Sequence, residues 1–309
     1  MNIFNHIKDQ EITDITKSLL QSAESVYQEL KTGNSLTTLQ TSNTSNDQQI
    51  ELDVFADQCF VKKIQESTHI KYILSEERAD LIKHGNGKYS IAIDPLDGSK
   101  SAIIGIPCGA IFGVFKNADH ISDFNGSHIM MSGFFVFGIN LEIYLAIDQK
   151  VYKGNWNSDH DNWDFIPLQK LPHAKMIAIN TSNKNKWDEW LQDFYDDLVD
   201  VEDEKGKSYN MRWYASMVAE IKRLILQGGL FAYPNDSRKG YENGHLRLIY
   251  EAIPMAYLID TLGGRSTDGK KSILGVEVKS LHQKIPVYLG DKHLIQRIEK
   301  IRSKSISSE

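Results

Sequence analysis

The stretch Ile91-Ala92-Ile93-Asp94-Pro95-Leu96-Asp97-Gly98-Ser99 constrains this chain most, because it ends a short apolar strand in two carboxylates and a Gly-Ser turn. Pro95 fixes one backbone dihedral, so the side chains of Asp94 and Asp97 can both leave the strand end from a rigid turn. Magnesium and manganese favour carboxylate, carbonyl and water ligands, and two carboxylates with the Leu96 carbonyl between them supply several from one loop. Gly98 and Ser99 then offer free backbone N–H groups at a turn, where an anion can be cradled without a side-chain clash. Asp-Gly and Asp-Pro are also common turn dipeptides, so the bare motif by itself is more often an ordinary turn.

Other acidic residues add to it. Ile73-Leu74-Ser75-Glu76-Glu77 is a second strand-like stretch ending in paired carboxylates, with a spacer to Asp94 that suits neighbouring strands. Each carboxylate raises the pKa of the next, so a cluster of four needs metal or Arg/Lys to stay ionised. Asp47, Glu51 and Asp53 lie in the polar stretch 46–53, which alone reads as solvated surface.

The rest of the chain reads as an ordinary enzyme. At 309 residues, with 41% hydrophobic and 25% charged, it can bury a large core, and its length favours two domains. A net charge of -6 without a basic stripe argues against nucleic acid. Two cysteines, Cys59 and Cys108, give neither a disulfide framework nor a zinc spacing. With no basic n-region and apolar core in residues 1–33, a reducing, cytoplasmic setting is expected. The most apolar stretches, 102–115 and 130–147, are broken by Gly, Pro or polar residues, so no membrane partner is expected.

Apolar residues at helical spacing from Ile12 to Leu30, followed by Gly33, predict a helix over 11–32. Residues 34–49 read as a loop, and 89–147 as β-rich. A second unit begins after Phe165-Ile166-Pro167, with a strand over 176–180 and a helix over 186–199 whose Trp187, Trp190 and Phe194 belong to a core. The acidic run 196–204 reads as solvated linker. Asp159 to Asp164 lacks the glycine and distal glutamate of a calcium loop. Residues 245–262 are helical in pattern and stopped by Gly263-Gly264, placing Arg247, Tyr250 and Glu251 on one face. Spacing alone makes Arg247 and Glu251 an exposed pair worth about 0.3–0.5 kcal/mol.

In this order the segments resemble the class I fructose-1,6-bisphosphatases, of the lithium-sensitive, metal-dependent phosphatase superfamily that also holds the inositol monophosphatases. The resemblance rests on residues 47–53, Leu74-Ser75-Glu76-Glu77, Lys88-Tyr89, Asp94 to Ser99 and Asn180. It continues through Met211 to Ala219, Gly228 to Pro234, Leu246 to Glu251, Pro254 to Tyr257, Gly263-Gly264 and Pro286 to Gly290. It implies an α/β protein with a layered α/β/α/β/α fold in two domains, 1–167 and 168–309, and a homotetramer or homodimer. The first would carry most metal ligands and a mobile segment over 34–53; the second would bind the sugar phosphate.

The activity implied is hydrolysis of the 1-phosphate of fructose 1,6-bisphosphate. Two to three Mg2+ or Mn2+ ions per subunit would be held by Glu76, Asp94, Asp97, Glu251 and the Leu96 carbonyl. Asp53 and Glu77 would orient and deprotonate the attacking water, assisted by Asp47, and Arg247 would balance the carboxylates. Gly98, Ser99 and Lys100 would cradle the phosphate being cleaved, with Ser216 and Met217 at the sugar. The other phosphate would meet Asn180, Tyr233, Lys239 and Tyr250, with Arg212 reaching from a neighbouring subunit.

The chain departs from the family pattern at Lys100, at Asn183 where a tyrosine is expected, and at His245 where a lysine is expected. The segment from Tyr233 to Arg247 is also longer than usual. Sedoheptulose 1,7-bisphosphate or an inositol phosphate are the other substrates these residues leave open, and a non-catalytic sugar-phosphate-binding regulator is the other class. Residues 7–13 do not reproduce the turn through which animal-type members bind AMP, although Lys88 and Tyr89 match, so AMP inhibition is expected to be weak or absent.

Overall fold

The computed structural model describes residues 1–42, 48–201 and 208–306. Asp47 therefore lies outside the described residues.

An eight-stranded sheet occupies the middle of the N-terminal part. Its strands are β3 (Ile70–Ser75), β4 (Ile82–Lys83), β5 (Tyr89–Asp97), β6 (Gly109–Lys116), β7 (Ile129–Phe137), β8 (Leu141–Ile147), β9 (Lys150–Asn157) and β10 (Asn162–Leu168), after a hairpin of β1 (Thr38–Ser42) and β2 (Gln48–Ile50). The order across the sheet is β10-β9-β8-β7-β6-β5-β3-β4. All pairings are antiparallel except β3 with β5, which run parallel and so bring the Ser75 and Asp97 ends to the same edge. Helices α1 (Gln10–Thr32) and α2 (Glu51–Gln65) cover one face.

Alternation along the strands builds two cores from one sheet. Ile91, Ile93, Phe112, Val114 and Phe135 pack with α1 and α2. Ala92, Ile111, Phe134 and Tyr144 face the other way, onto α5 (Met217–Gln227) and α6 (Ile253–Thr261). Beyond those helices lies a five-stranded sheet of β11 (Met176–Ala178), β12 (Asn210–Met211), β13 (Leu230–Tyr233), β15 (Arg265–Thr267) and β17 (Val287–Gly290). Its outer face holds α4 (Glu189–Asp200) and α7 (Lys292–Ile306) through Trp190, Phe194, Tyr288 and Ile295. Helix pair, sheet, helix pair, sheet, helix pair is the expected α/β/α/β/α layering. The remaining elements are α3 (Ser99–Ile103) and a short ladder of β14 (Leu246–Arg247) with β16 (Lys284–Ile285).

The α1 helix starts one residue before the predicted span, with the Asp9 carboxylate capping the Glu11 N–H at 2.9 Å, and ends at Gly33 with φ of 70°. Three expectations are corrected. Residues 34–49 are not a plain loop, since β1 and β2 pair within them, and Asp53 lies in the first turn of α2. Asp196 to Asp200 continue α4 instead of starting a linker. The 245–262 helix is three elements: β14, one π-helical turn over Leu248–Ala252, and α6, whose first turn takes Pro254 where no N–H is needed. Among the described residues, no helix is long and apolar enough to cross a membrane.

Candidate active site

The eight-stranded sheet, the π-helical turn and the start of α5 meet at a cleft of about 320 Å³, in the size range of small-molecule sites. Asp94 and Asp97 leave the end of β5, with the Leu96 backbone between them on the cleft wall. The Leu96 N–H donates to Asp94 Oδ1 at 3.0 Å, the short loop-back that Asp-Pro turns favour. Asp97 Oδ2 accepts from the Val218 N–H at 3.0 Å, tying the motif to the first turn of α5. Gly98 follows with φ of 79°, and a Cβ there would come within 3.3 Å of the Ser216 side chain. Only glycine fits both the left-handed backbone and the closeness of α5.

Glu251 reaches the same place from the π-helical turn, a device frequent at functional sites because the extra residue re-aims the side chain. Carboxylate oxygens of Asp94, Asp97 and Glu251 lie within 4.8 Å of one another, the one such convergence of three metal-type side chains among the described residues. The Asp159 to Asp164 run instead forms the β9-β10 hairpin, paired from Asn157 to Asn162. Glu76 lines the cleft beside the trio, with Oε1 3.1 Å from Arg247 Nη2. Arg247 and Glu251 are not an exposed helical pair. Arg247 is extended and only 4% exposed, its N–H donates to Glu251 Oε2 at 2.5 Å, and its guanidinium turns to Glu76 and to the His245 carbonyl.

Burial drives the electrostatics. It pushes the Glu251 carboxyl up to about 8 against the pull of Arg247, and the Glu76 charge adds to the rise. Asp94 is raised well above the usual carboxylate range by burial, then by Glu76 and Glu251. Asp97, also raised by burial, reaches about 6, held back by the Val218 N–H and the Ser216 hydroxyl. Asp53 is carried up to about 7 by burial, while its Oδ2 accepts from the Ile50 N–H at 2.7 Å. Buried carboxylates crowded this closely are stable as anions only with added positive charge. Hard oxygen donors converging from three elements fit a divalent cation, and Arg247 alone does not balance them.

Asp53, Glu77, Gly98, Ser99, Lys100 and Arg247 also line the cleft, as do Ser216 and Met217 on the α5 side. Asn180 and Tyr233 line it as well. Three expected phosphate contacts lie off it. Tyr250 is a correction: it is fully buried, its ring 5.6 Å from the His282 ring. Lys239 is exposed on the 234–245 segment, and Arg212 is exposed beside β12, its Nη1 donating to the Met211 carbonyl at 2.9 Å.

Trp213, Ala215 and Glu220 were not foreseen. All three line the cleft; Trp213 and Ala215 lie within the resembling block Met211 to Ala219, and Glu220 is the residue after it. Ala215 holds a φ of 59°, a strained value for a residue with a Cβ, and it sits directly before the Ser216 cap of α5. Glu220 is fully buried and accepts from the Tyr214 N–H at 2.5 Å, bracing that strained turn. Its signal was the Ser216 and Glu220 pair at the start of an apolar helical run. His245, also on the cleft, is stacked between Tyr233, 5.4 Å away, and Tyr241, 5.0 Å away.

Comparison with known proteins agrees with this architecture. The family described as "Fructose-1-6-bisphosphatase, N-terminal domain" matches residues 4–166, and "Fructose-1-6-bisphosphatase, C-terminal domain" matches residues 171–303. The chain is 36% identical over 267 residues to the class 1 fructose-1,6-bisphosphatase of Rhodobacter capsulatus, covering 83% of this chain and 79% of that one. It is 32% identical over 272 residues to that of Neisseria meningitidis, covering 85% and 84%. The crystal structure of Leishmania major fructose-1,6-bisphosphatase in holo form superposes with a TM-score of 0.91, at 26% identity over 97% of each chain. With both halves of the chain matched, the fold shared and the acidic cleft where the two halves meet, the chain belongs to the class 1 fructose-1,6-bisphosphatase family.

Proposed function

We propose that this chain is a metal-dependent phosphoric monoester hydrolase that converts fructose 1,6-bisphosphate to fructose 6-phosphate and phosphate, in the gluconeogenic direction of carbohydrate metabolism. The observation that carries this reading is the convergence of Asp94, Asp97 and Glu251 within 4.8 Å in a buried, charge-crowded cleft. The N-terminal part, 1–167, supplies most of the acidic groups, and 168–309 the groups for the sugar and its second phosphate. A cytoplasmic homotetramer or homodimer completes the reading, with Arg212 presented to a neighbouring copy.

Asp94, Asp97, Glu76, Glu251 and the Leu96 carbonyl would hold two to three Mg2+ or Mn2+ ions. When bound, those ions supply Lewis-acid neutralisation of phosphate charge and a water of lowered pKa. Asp53, raised to about 7, is suited to taking a proton from the attacking water at neutral pH, with Glu77 and Asp47 orienting that water. Gly98, Ser99 and Lys100 hold the departing phosphate through the leading N–H groups of α3 and the Lys100 charge. Arg247 fixes Glu76 through its guanidinium and Glu251 through its backbone N–H, and its charge opposes the rise of the Glu251 carboxyl without cancelling it.

Asn180 and Tyr233, both on the cleft, would meet the second phosphate, with Lys239 reaching in from the exposed 234–245 segment. His245, where the family pattern has a lysine, is stacked on Tyr233, which favours a second reading in which a different sugar bisphosphate is preferred. Phosphate release with Mg2+ or Mn2+ from fructose 1,6-bisphosphate, sedoheptulose 1,7-bisphosphate, inositol 1-phosphate and fructose 6-phosphate separates them. Turnover highest on fructose 1,6-bisphosphate is the expected result. Preference for sedoheptulose 1,7-bisphosphate transfers the assignment to that sugar, and no turnover on any substrate leaves only a binding protein.

AMP is expected not to inhibit. The Tyr89 hydroxyl donates to Asp9 Oδ2 at 2.7 Å, and Lys88 Nζ lies 3.0 Å from Glu11 Oε1 and 3.3 Å from Asp9 Oδ2. The chain's own carboxylates thus occupy the start of α1 and its neighbouring cation, and would repel an incoming phosphate. Activity should stay flat as AMP is titrated through the millimolar range; inhibition at micromolar AMP would contradict this.

A further inference from the structure

The carboxylates of the cleft come from two distant stretches of chain, and one side chain outside the cleft touches the supports of both. Glu76 and Glu77 lie between Ser75 and Arg78, and both flanking residues are pinned to α2. Asp57 accepts from the Ser75 hydroxyl at 2.6 Å and, through Oδ2, from Arg78 Nε at 2.9 Å and Nη2 at 2.6 Å. The carbonyl of Arg78 lies 3.0 Å from His282 Nε2.

His282 itself belongs to the other stretch. The Leu248 N–H donates to the carbonyl of Gln283, its neighbour, at 2.8 Å, and Lys284 pairs with Arg247 in the β14-β16 ladder. The His282 ring rests 5.6 Å from the ring of Tyr250, next to Glu251. A carbonyl can only accept, so Nε2 carries the proton. Nδ1 is buried and has no hydrogen-bond partner among the described residues, which keeps the ring in the neutral Nε2–H form. Burial, with the charge of Arg247, lowers the basicity of His282 in the same sense.

We propose that His282 is a positioning residue that holds the Glu76-Glu77 turn at a set distance from Glu251 and thereby sets the affinity of the cleft for divalent cations. This rests on the metal-dependent reading above. Groups that orient metal ligands from behind typically change affinity about 10–100-fold when lost, without touching the ion. A strut between two ligand-bearing stretches acts on spacing, so metal binding suffers before the chemical step does.

The test is calorimetric titration of the full chain with Mn2+, comparing the unsubstituted protein with His282→Gln, His282→Asn and His84→Asn. Gln places an amide N–H where Nε2 stood; Asn is polar and foldable but too short to reach the Arg78 carbonyl. His84 makes the same type of contact, Nε2 to the Ser67 carbonyl at 3.1 Å, away from the cleft. His282→Asn should weaken Mn2+ binding about tenfold while His282→Gln and His84→Asn bind as the unsubstituted protein does. The metal concentration for half-maximal turnover should shift in parallel, with kcat at saturating metal retained. If the unsubstituted chain binds no Mn2+, the metal reading itself fails. If it binds and the Asn and Gln variants at position 282 bind alike, tightly or weakly, the strut is wrong.

Discussion

Asp94→Asn should abolish nearly all turnover while leaving the metal-free protein at least as stable as before. The two effects have separate origins. Losing one hard ligand from the centre of the trio removes several kcal/mol of charge stabilisation in the transition state, which is about a thousandfold in rate. The side chain is 6% exposed, in contact with other carboxylates, and raised well above its usual pKa by burial and by Glu76 and Glu251. A neutral amide of the same shape relieves that repulsion. Asn still offers an oxygen to the Leu96 N–H, so the turn keeps its hydrogen bond. Rate assays at saturating Mg2+ together with thermal unfolding in chelator distinguish this from a structural residue. A variant that loses both activity and several degrees of Tm would show that Asp94 serves the fold.

What the sequence made legible was local. Asp94 to Ser99 could be placed because a strand, a proline-fixed turn and a glycine are all decided within nine residues. The α1 boundaries followed from Asp9, a 3.6-residue apolar period and Gly33 for the same reason. Glu251 and Arg247 could be named only through the family resemblance. Their actual meeting depends on a π-helical turn, with a side chain bonded to a backbone N–H, and no helical spacing encodes that. The strand pair within 34–50 escapes a sequence reading because Thr38 to Ser42 and Gln48-Gln49 are nearly all polar and carry no apolar alternation to read. Position in a motif points Tyr250 at phosphate, whereas its burial is decided by packing into the apolar core between the two sheets. Trp213 and Ala215 reach the cleft because residues 212–216 turn sharply into α5, and a non-glycine φ of 59° is not announced by an alanine. The five layers are visible in hindsight in the alternation of β5 to β8, but which helices cover which face is a tertiary fact.

Stripping the metal should make stability fall as pH rises from about 5 to 8, and restoring Mg2+ should reverse that fall at the upper end only. Four cleft carboxyls sit above their ordinary values near 4: Asp97 at about 6, Asp53 at about 7, Glu251 at about 8, and Asp94, raised well above the usual range by burial and by Glu76 and Glu251. Below about pH 4 these groups are protonated in both folded and unfolded chains and cost nothing. Between about 4 and 8 the folded protein keeps protons that the unfolded chain has released, so each step up in pH favours unfolding. Above the folded values the penalty is complete and stays level. A divalent cation binds only the ionised carboxylates, so its affinity grows over the same interval. At a hundredfold excess over Kd it would contribute about 2.7 kcal/mol, a Tm rise of about 4 °C for a chain of this size. Asp260, pushed to about 7 by burial on α6, adds to the metal-free decline with the same sign, but it does not line the cleft and no cation there can relieve it. The decisive quantity is therefore the Mg2+-induced change in Tm against pH, large near pH 8 and small near pH 5. A change of equal size at both would mean that the cleft carboxyls are already ionised without metal, and that the crowding of Asp94, Asp97 and Glu251 is balanced by the protein alone.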